Sequence, residues 1–214
     1  MTDPRKTRMA GISHVIALPI SAVAGLLLTL EVQDSRWRLV IGAYTLALTA
    51  MFVTSVLYHP VKWTPAARAR MRKIDRAAIF LLVGGTVLPL AVYSGQDQLV
   101  APVLAATILG ILFAIAFPGA PKVLSVVAFG AVGSVGAFAM PNVAATLGSG
   151  AVWLAVAACA LYLAGAVVYA VERPNPLPGT FGYHDVFHLF VIAAAATSFL
   201  DVALFVLPVA RTVT

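Results

Sequence analysis

His184 and His188 stand four residues apart, and so do Ser55 and His59. On a helix, side chains at i and i+4 share one face about 5–6 Å apart. Two imidazoles at that spacing are able to hold one metal ion, as in helical zinc pairs. A third histidine from another helix would complete a three-nitrogen set and leave the fourth tetrahedral position open, the arrangement of catalytic rather than structural zinc. His14 and His59 are the remaining histidines. In such a site Asp75 would accept a proton from a metal-activated water. Ser55, one turn from His59, would hydrogen-bond that water or a substrate oxygen.

Each residue also has an ordinary reading. Asp75 alone reads as the N-cap of a helix beginning at Arg76. Ser55 alone is a small helix-packing residue, and His59 beside Tyr58 and Trp63 is an interfacial aromatic. What favours chemistry is convergence at one depth, and that depends on the elements carrying these side chains.

Those elements are membrane helices. The chain has 214 residues, 61% hydrophobic and 10% charged, with a mean hydropathy of +0.98. Soluble domains are about 45–50% apolar and about 25% charged, and disorder requires low hydrophobicity with high charge. A soluble enzyme and a disordered chain are both excluded. Uncharged runs at 11–30, 39–61, 77–96 and 98–121 are each long enough for a spanning helix of about 20 residues. Barrel strands are roughly ten residues of alternating character. Val123 to Val171 contains no charge, and Pro141-Asn142 and Gly148-Ser149-Gly150 mark the turn between two further spans. A last segment, 186–210, carries only Asp201. The expected fold is all-α, one seven-helix transmembrane bundle with spans near 11–30, 39–60, 77–96, 99–118, 123–141, 151–171 and 185–207.

Short cytoplasmic loops collect Lys and Arg. A cytoplasmic N-terminus puts Arg5, Lys6, Arg8, the six cations from Lys62 to Arg76, Lys122 and Arg173 inside, and leaves Arg36, Arg38 and Arg211 outside. The expected topology is therefore N-terminus in and C-terminus out, in the inner (plasma) membrane. His14, His59, Asp75, His184 and His188 then meet at the cytoplasmic end. The net charge of +6 comes largely from the basic loop 62–76. Beside a span, such a loop serves topology and anionic headgroups rather than nucleic acid.

Arg5-Lys6-Thr7-Arg8 ahead of an apolar run with Ala22-Val23-Ala24 resembles a signal peptide, but the run is read as a retained first helix. Cys159 has no cysteine partner, which removes a disulfide framework and a thiolate metal site. Asp201 lies about 24 Å along the last helix from Asp185 and is expected near the outer surface, away from the site.

Ser55-Val56-Leu57-Tyr58-His59, Asp75 with Ala77-Ala78-Ile79-Phe80 and Gly85-Thr86-Val87-Leu88-Pro89, and Phe181-Gly182-Tyr183-His184-Asp185-Val186-Phe187-His188 resemble the hemolysin III family. That family is related to the progestin and adipoQ receptors and, more distantly, the alkaline ceramidases. Gly11-Ile12-Ser13-His14 fits as well, so the resemblance runs from about Arg8 to Phe199. It implies seven helices around a zinc near the cytoplasmic face. His59, His184 and His188 would be the ligands, with Asp75 and Ser55 around the zinc-bound water. Arg76 and Ser198 depart from the pattern, since many members carry histidine at both positions; neither belongs to the ligand set.

The resulting expectation is a zinc-dependent hydrolase of an amide-containing, ceramidase-like lipid drawn from the membrane. The main alternative is a receptor or membrane-homeostasis sensor with structural zinc, which requires a fourth protein ligand from His14 or Asp75. A hemolysin-like pore would need a continuous polar stripe, which the uncharged stretch from Val123 to Val171 does not supply.

Overall fold

The computed structural model describes residues 7, 9 and 11–212. Arg5, Lys6 and Arg8, part of the expected charge bias, lie outside the described residues. Among the described residues, seven helical segments are long and apolar enough to cross a membrane. They are α1 (Ile12–Leu30), α2 (Ser35–Tyr58), α3 (Pro65–Tyr93), α4 (Val100–Ala116) with its 3-10 entry at Asp97–Leu99, α5 (Lys122–Ser134) continued through a 3-10 stretch at Val135–Ala139 into α6 (Met140–Thr146), α7 (Ser149–Val171), and α8 (Tyr183–Asp201) continued through a π segment at Val202–Val206 into α9 (Leu207–Thr212). Among the described residues there is no strand, only an isolated bridge between Leu177 and Phe181.

The solvent of such a bundle is lipid, so large apolar side chains need not face inward. Leu39, Phe138 and Trp153 point outward at 73%, 71% and 70% exposure, while Ile41, Tyr44, Leu82 and Val206 fill the interior. Cys159 is exposed on α7, consistent with a lipid-facing position. Helices approach where one side offers a glycine, the usual device of membrane bundles. A Cβ on Gly165 of α7 would come within 2.9 Å of the Phe190 Cβ on α8.

Three expectations need correcting. The basic stretch before the third span is not a loop. Thr64 caps a helix there, its Oγ1 accepting from the Ala67 N–H at 3.3 Å, and Pro65 takes the first position, where its missing N–H is harmless. Asp75 consequently lies inside α3 and is not its N-cap. Hydropathy locates only the apolar part of a helix, whereas the Thr-Pro signal marks its true start. Likewise Pro141 does not break the fifth span. It sits at the start of α6, again an N-terminal position, and the chain turns at Gly148, whose φ of 92 favours glycine. Finally, of the two uses expected for Asp201 toward the outer side, an interface role and helix pairing, burial leaves only the second. It is 1% exposed, and its Oδ1 has no hydrogen-bond partner.

Because the chain reverses at each turn, the end of α2, the start of α3, the start of α5, the end of α7 and the start of α8 share one end of the bundle. The turns between α1 and α2, α3 and α4, and α6 and α7 lie at the other.

Candidate metal centre

His59 is the residue that closes α2. Its N–H donates to the Ser55 carbonyl at 3.0 Å, which holds it in helical register with Ser55 above it. Gly11 lets the start of α1 cross this point. It adopts φ 81, and a Cβ there would lie 2.7 Å from the His59 Cβ. Only glycine tolerates both demands, and one turn later α1 delivers His14. At the start of α8, Asp185 acts as a bracket. Its Oδ2 accepts from the Gly182 N–H at 2.9 Å and from the Thr7 hydroxyl at 2.5 Å. That fixes the first turn of α8, and with it the direction of His184 and His188.

The fold brings three of these rings together. Ring centroids are 4.9 Å apart for His59 and His184, 4.7 Å for His59 and His188, and 4.6 Å for His184 and His188. One ring nitrogen from each lies within 4.8 Å of the others. The Nε2 atoms of His59 and His184 are 3.4 Å apart. Four ligands on a tetrahedral zinc at 2.0–2.1 Å have nitrogen–nitrogen edges of about 3.3 Å, so this pair already stands at the spacing of a metal edge. A shared N–H···N bond would occupy those two rings and leave His188 aside, with Nδ1 buried and unpartnered. A cation is able to engage all three. Burial, and secondarily the Arg68 guanidinium, lower His59 to about 4, so its ring is neutral at physiological pH and its lone pair is available.

His14 is beside this set and not in it. It stacks on His188 with centroids 4.0 Å apart and planes 9° from parallel. Its Nδ1 lies 2.6 Å from the Ser55 Oγ, so that nitrogen is already engaged. Asp75 and Ser55 line the same cavity as the three histidines. Among the described residues the group that could hold a metal stops at three, and no ion pair ties Asp75 to a cation.

Sequence reasoning did not place other residues that line this cavity. Arg68, Arg72 and Arg76 of α3 do so, as do Tyr162 and Tyr169 of α7. The i, i+4, i+8 spacing of the arginines was the available signal. Deeper walls are apolar, with Ile79, Val83, Phe129 and Val191. Lys122 packs against Tyr169 of this lining. Its ammonium is 2.7 Å from Glu172 Oε1 and sits over the rings of Tyr169 and Tyr183 at 4.5 and 4.7 Å, tying α5 to both flanks of the loop between α7 and α8.

Residues 3–199 match the model of the haemolysin-III related family. The match contains all the histidines, Ser55 and Asp75, and ends just short of Asp201. A match over that much of the chain, which includes the histidines, serine and aspartate that the fold gathers near one cavity, makes this protein a member of the haemolysin-III related family.

Proposed function

We propose that this chain is a zinc-dependent hydrolase of an amide-containing, ceramidase-like lipid, working at the cytoplasmic face of the plasma membrane with its N-terminus inside. The observation that carries this reading is an incomplete donor set beside a carboxylate. Three histidine nitrogens lie within 4.8 Å of one another, no fourth donor joins them among the described residues, and Asp75 shares their cavity. Structural zinc sites are closed by four protein ligands, whereas catalytic ones keep a position open. The engagement of His14 Nδ1 with Ser55 counts against that nitrogen as a fourth ligand.

His59, His184 and His188 would hold the metal, which supplies a Lewis acid for the carbonyl and lowers the pKa of water. Asp75 takes the proton of the attacking water and returns it to the leaving amine, the two roles that one carboxylate fills in succession. Ser55, its rotor fixed by His14, orients the water or the substrate oxygen. Ile79, Val83, Phe129 and Val191 accept the acyl chain and exclude bulk water.

Purified protein should contain about one zinc per chain and release fatty acid from an N-acyl lipid. Asp75→Asn should abolish release while keeping the zinc. Zinc retained with no hydrolysis of any N-acyl lipid by the native protein would turn the reading to a receptor or sensor.

A further inference from the structure

We propose that Arg68, Arg72 and Arg76 form an anion-binding rail on the cavity wall, and that the lipid entering it bears a carboxylate or phosphate on its head side. The claim about which lipid is cleaved rests on the hydrolase reading above; the claim about binding does not.

Four residues of helix rise about 6 Å, so the three guanidinium groups are spaced one turn apart along α3. Asp75 stands on this stretch between Arg72 and Arg76, and Ile79 and Val83 follow one and two turns beyond. From Arg68 inward, α3 therefore runs from cations that flank one carboxylate to apolar side chains, all lining one cavity. An amphiphile with an anionic head, a hydrolysable junction and an acyl tail has the complementary profile.

Topology and headgroup contact do not account for these three arginines. Lys62 and Arg70 are exposed and absent from the cavity wall, whereas Arg68, Arg72 and Arg76 are half-buried and line it. Among the described residues no ion pair neutralises these three. Asp75, the one carboxylate among the described cavity-lining residues, interacts electrostatically with Arg76. Arg76 spends one N–H on the Pro118 carbonyl at 2.6 Å, and Arg68 lies over the Tyr58 ring at 5.2 Å. Arg72 keeps a buried Nε–H with no partner among the described residues. A buried guanidinium donor without an acceptor is costly, and the guanidinium fork suits carboxylate and phosphate oxygens.

The test uses the full chain in nanodiscs of neutral phosphatidylcholine, with ligands that no amidase can cleave. Hexadecyl phosphate and hexadecanoate should each bind at least tenfold tighter than hexadecanol, and added salt should shrink the difference. Free inorganic phosphate should not compete at the same concentration, which assigns the anion to a lipid head. Arg72→Gln should bring the preference below threefold; Arg72→Lys, which keeps the charge but not the fork, should keep only part of it, and Arg70→Gln all of it. Equal binding of hexadecanol, or a preference undiminished in Arg72→Gln, overturns the proposal. If binding behaves as expected but N-oleoylglycine and N-oleoylethanolamine both resist hydrolysis, the hydrolase reading fails and the arginine rail stands. If both are hydrolysed, N-oleoylglycine should show the higher kcat/KM in the native protein and lose that advantage in Arg72→Gln.

Discussion

The two ends of the bundle treat charge in opposite ways. At the end away from the histidines, Arg36 meets Asp97 at 2.6 Å and Arg211 meets Glu31 at 2.5 Å. Each bridge joins elements distant in sequence, and each is more than half exposed. At the histidine end, Arg68 and Arg72 have no carboxylate within ion-pair distance among the described residues, and one Arg72 donor is buried without a partner. Paired surface charges are finished interactions. Unpaired half-buried ones around a cavity are unfinished, and ionisable groups left so within a membrane protein mark functional sites by default. Lys122 shows that the histidine end does not lack anions altogether, since it reaches Glu172 at 2.7 Å.

The largest expected effect removes what distinguishes the histidine end. His184→Ala or His188→Ala should reduce bound zinc in purified protein from about one per chain to trace, measured by elemental analysis. The loss should exceed the roughly 10–100-fold that follows removal of an outer-shell partner, because a direct ligand goes. Stoichiometric zinc in both variants would break the comparison at its centre.

Next in size is Asp75→Asn. It keeps shape and removes the base, so the hydrolytic rate should fall about 10²–10⁴-fold with zinc content unchanged. A smaller step separates His14 from the proposed ligands. His14→Phe retains a ring to stack on His188 but loses the hydrogen bond to Ser55 Oγ. A fall of about tenfold in kcat, with zinc retained, is expected for a residue that positions another; loss of zinc would make His14 a ligand.

Sequence carried much of this organisation. Uncharged length located the helices because twenty apolar residues are what a bilayer demands. The i, i+4 pairs pointed to the face where the histidines gather, because helix geometry places them together. What escaped was decided by local chemistry at helix ends and by packing. The cap at Thr64 extends α3 far ahead of its apolar part, so residues 65–76 look like loop to a hydropathy window, and Asp75 taken alone reads as a cap. The burial of Asp201 depends on which face of α8 meets its neighbours, and a uniformly apolar helix has no stripe from which to read that. For the same reason the inward aim of Arg72, against the outward aim of Arg70 two residues away, follows only once α3 is known to be helical there.

The smallest effect tests the other side of the comparison. Arg36→Ala and Glu31→Ala each break one bridge at the far end. Such exposed pairs are worth about 0–1 kcal/mol, because water solvates both groups nearly as well as they solvate each other. For a chain of this size that is a fall of about 3 °C or less in the thermal midpoint, with zinc content and the preference for anionic lipid untouched. The two variants should also add, since the bridges share no residue and stand on different elements. A far-end variant that altered lipid preference would show that the two ends communicate, and charge at the histidine end would then have to be explained together with the bridges and not in contrast to them.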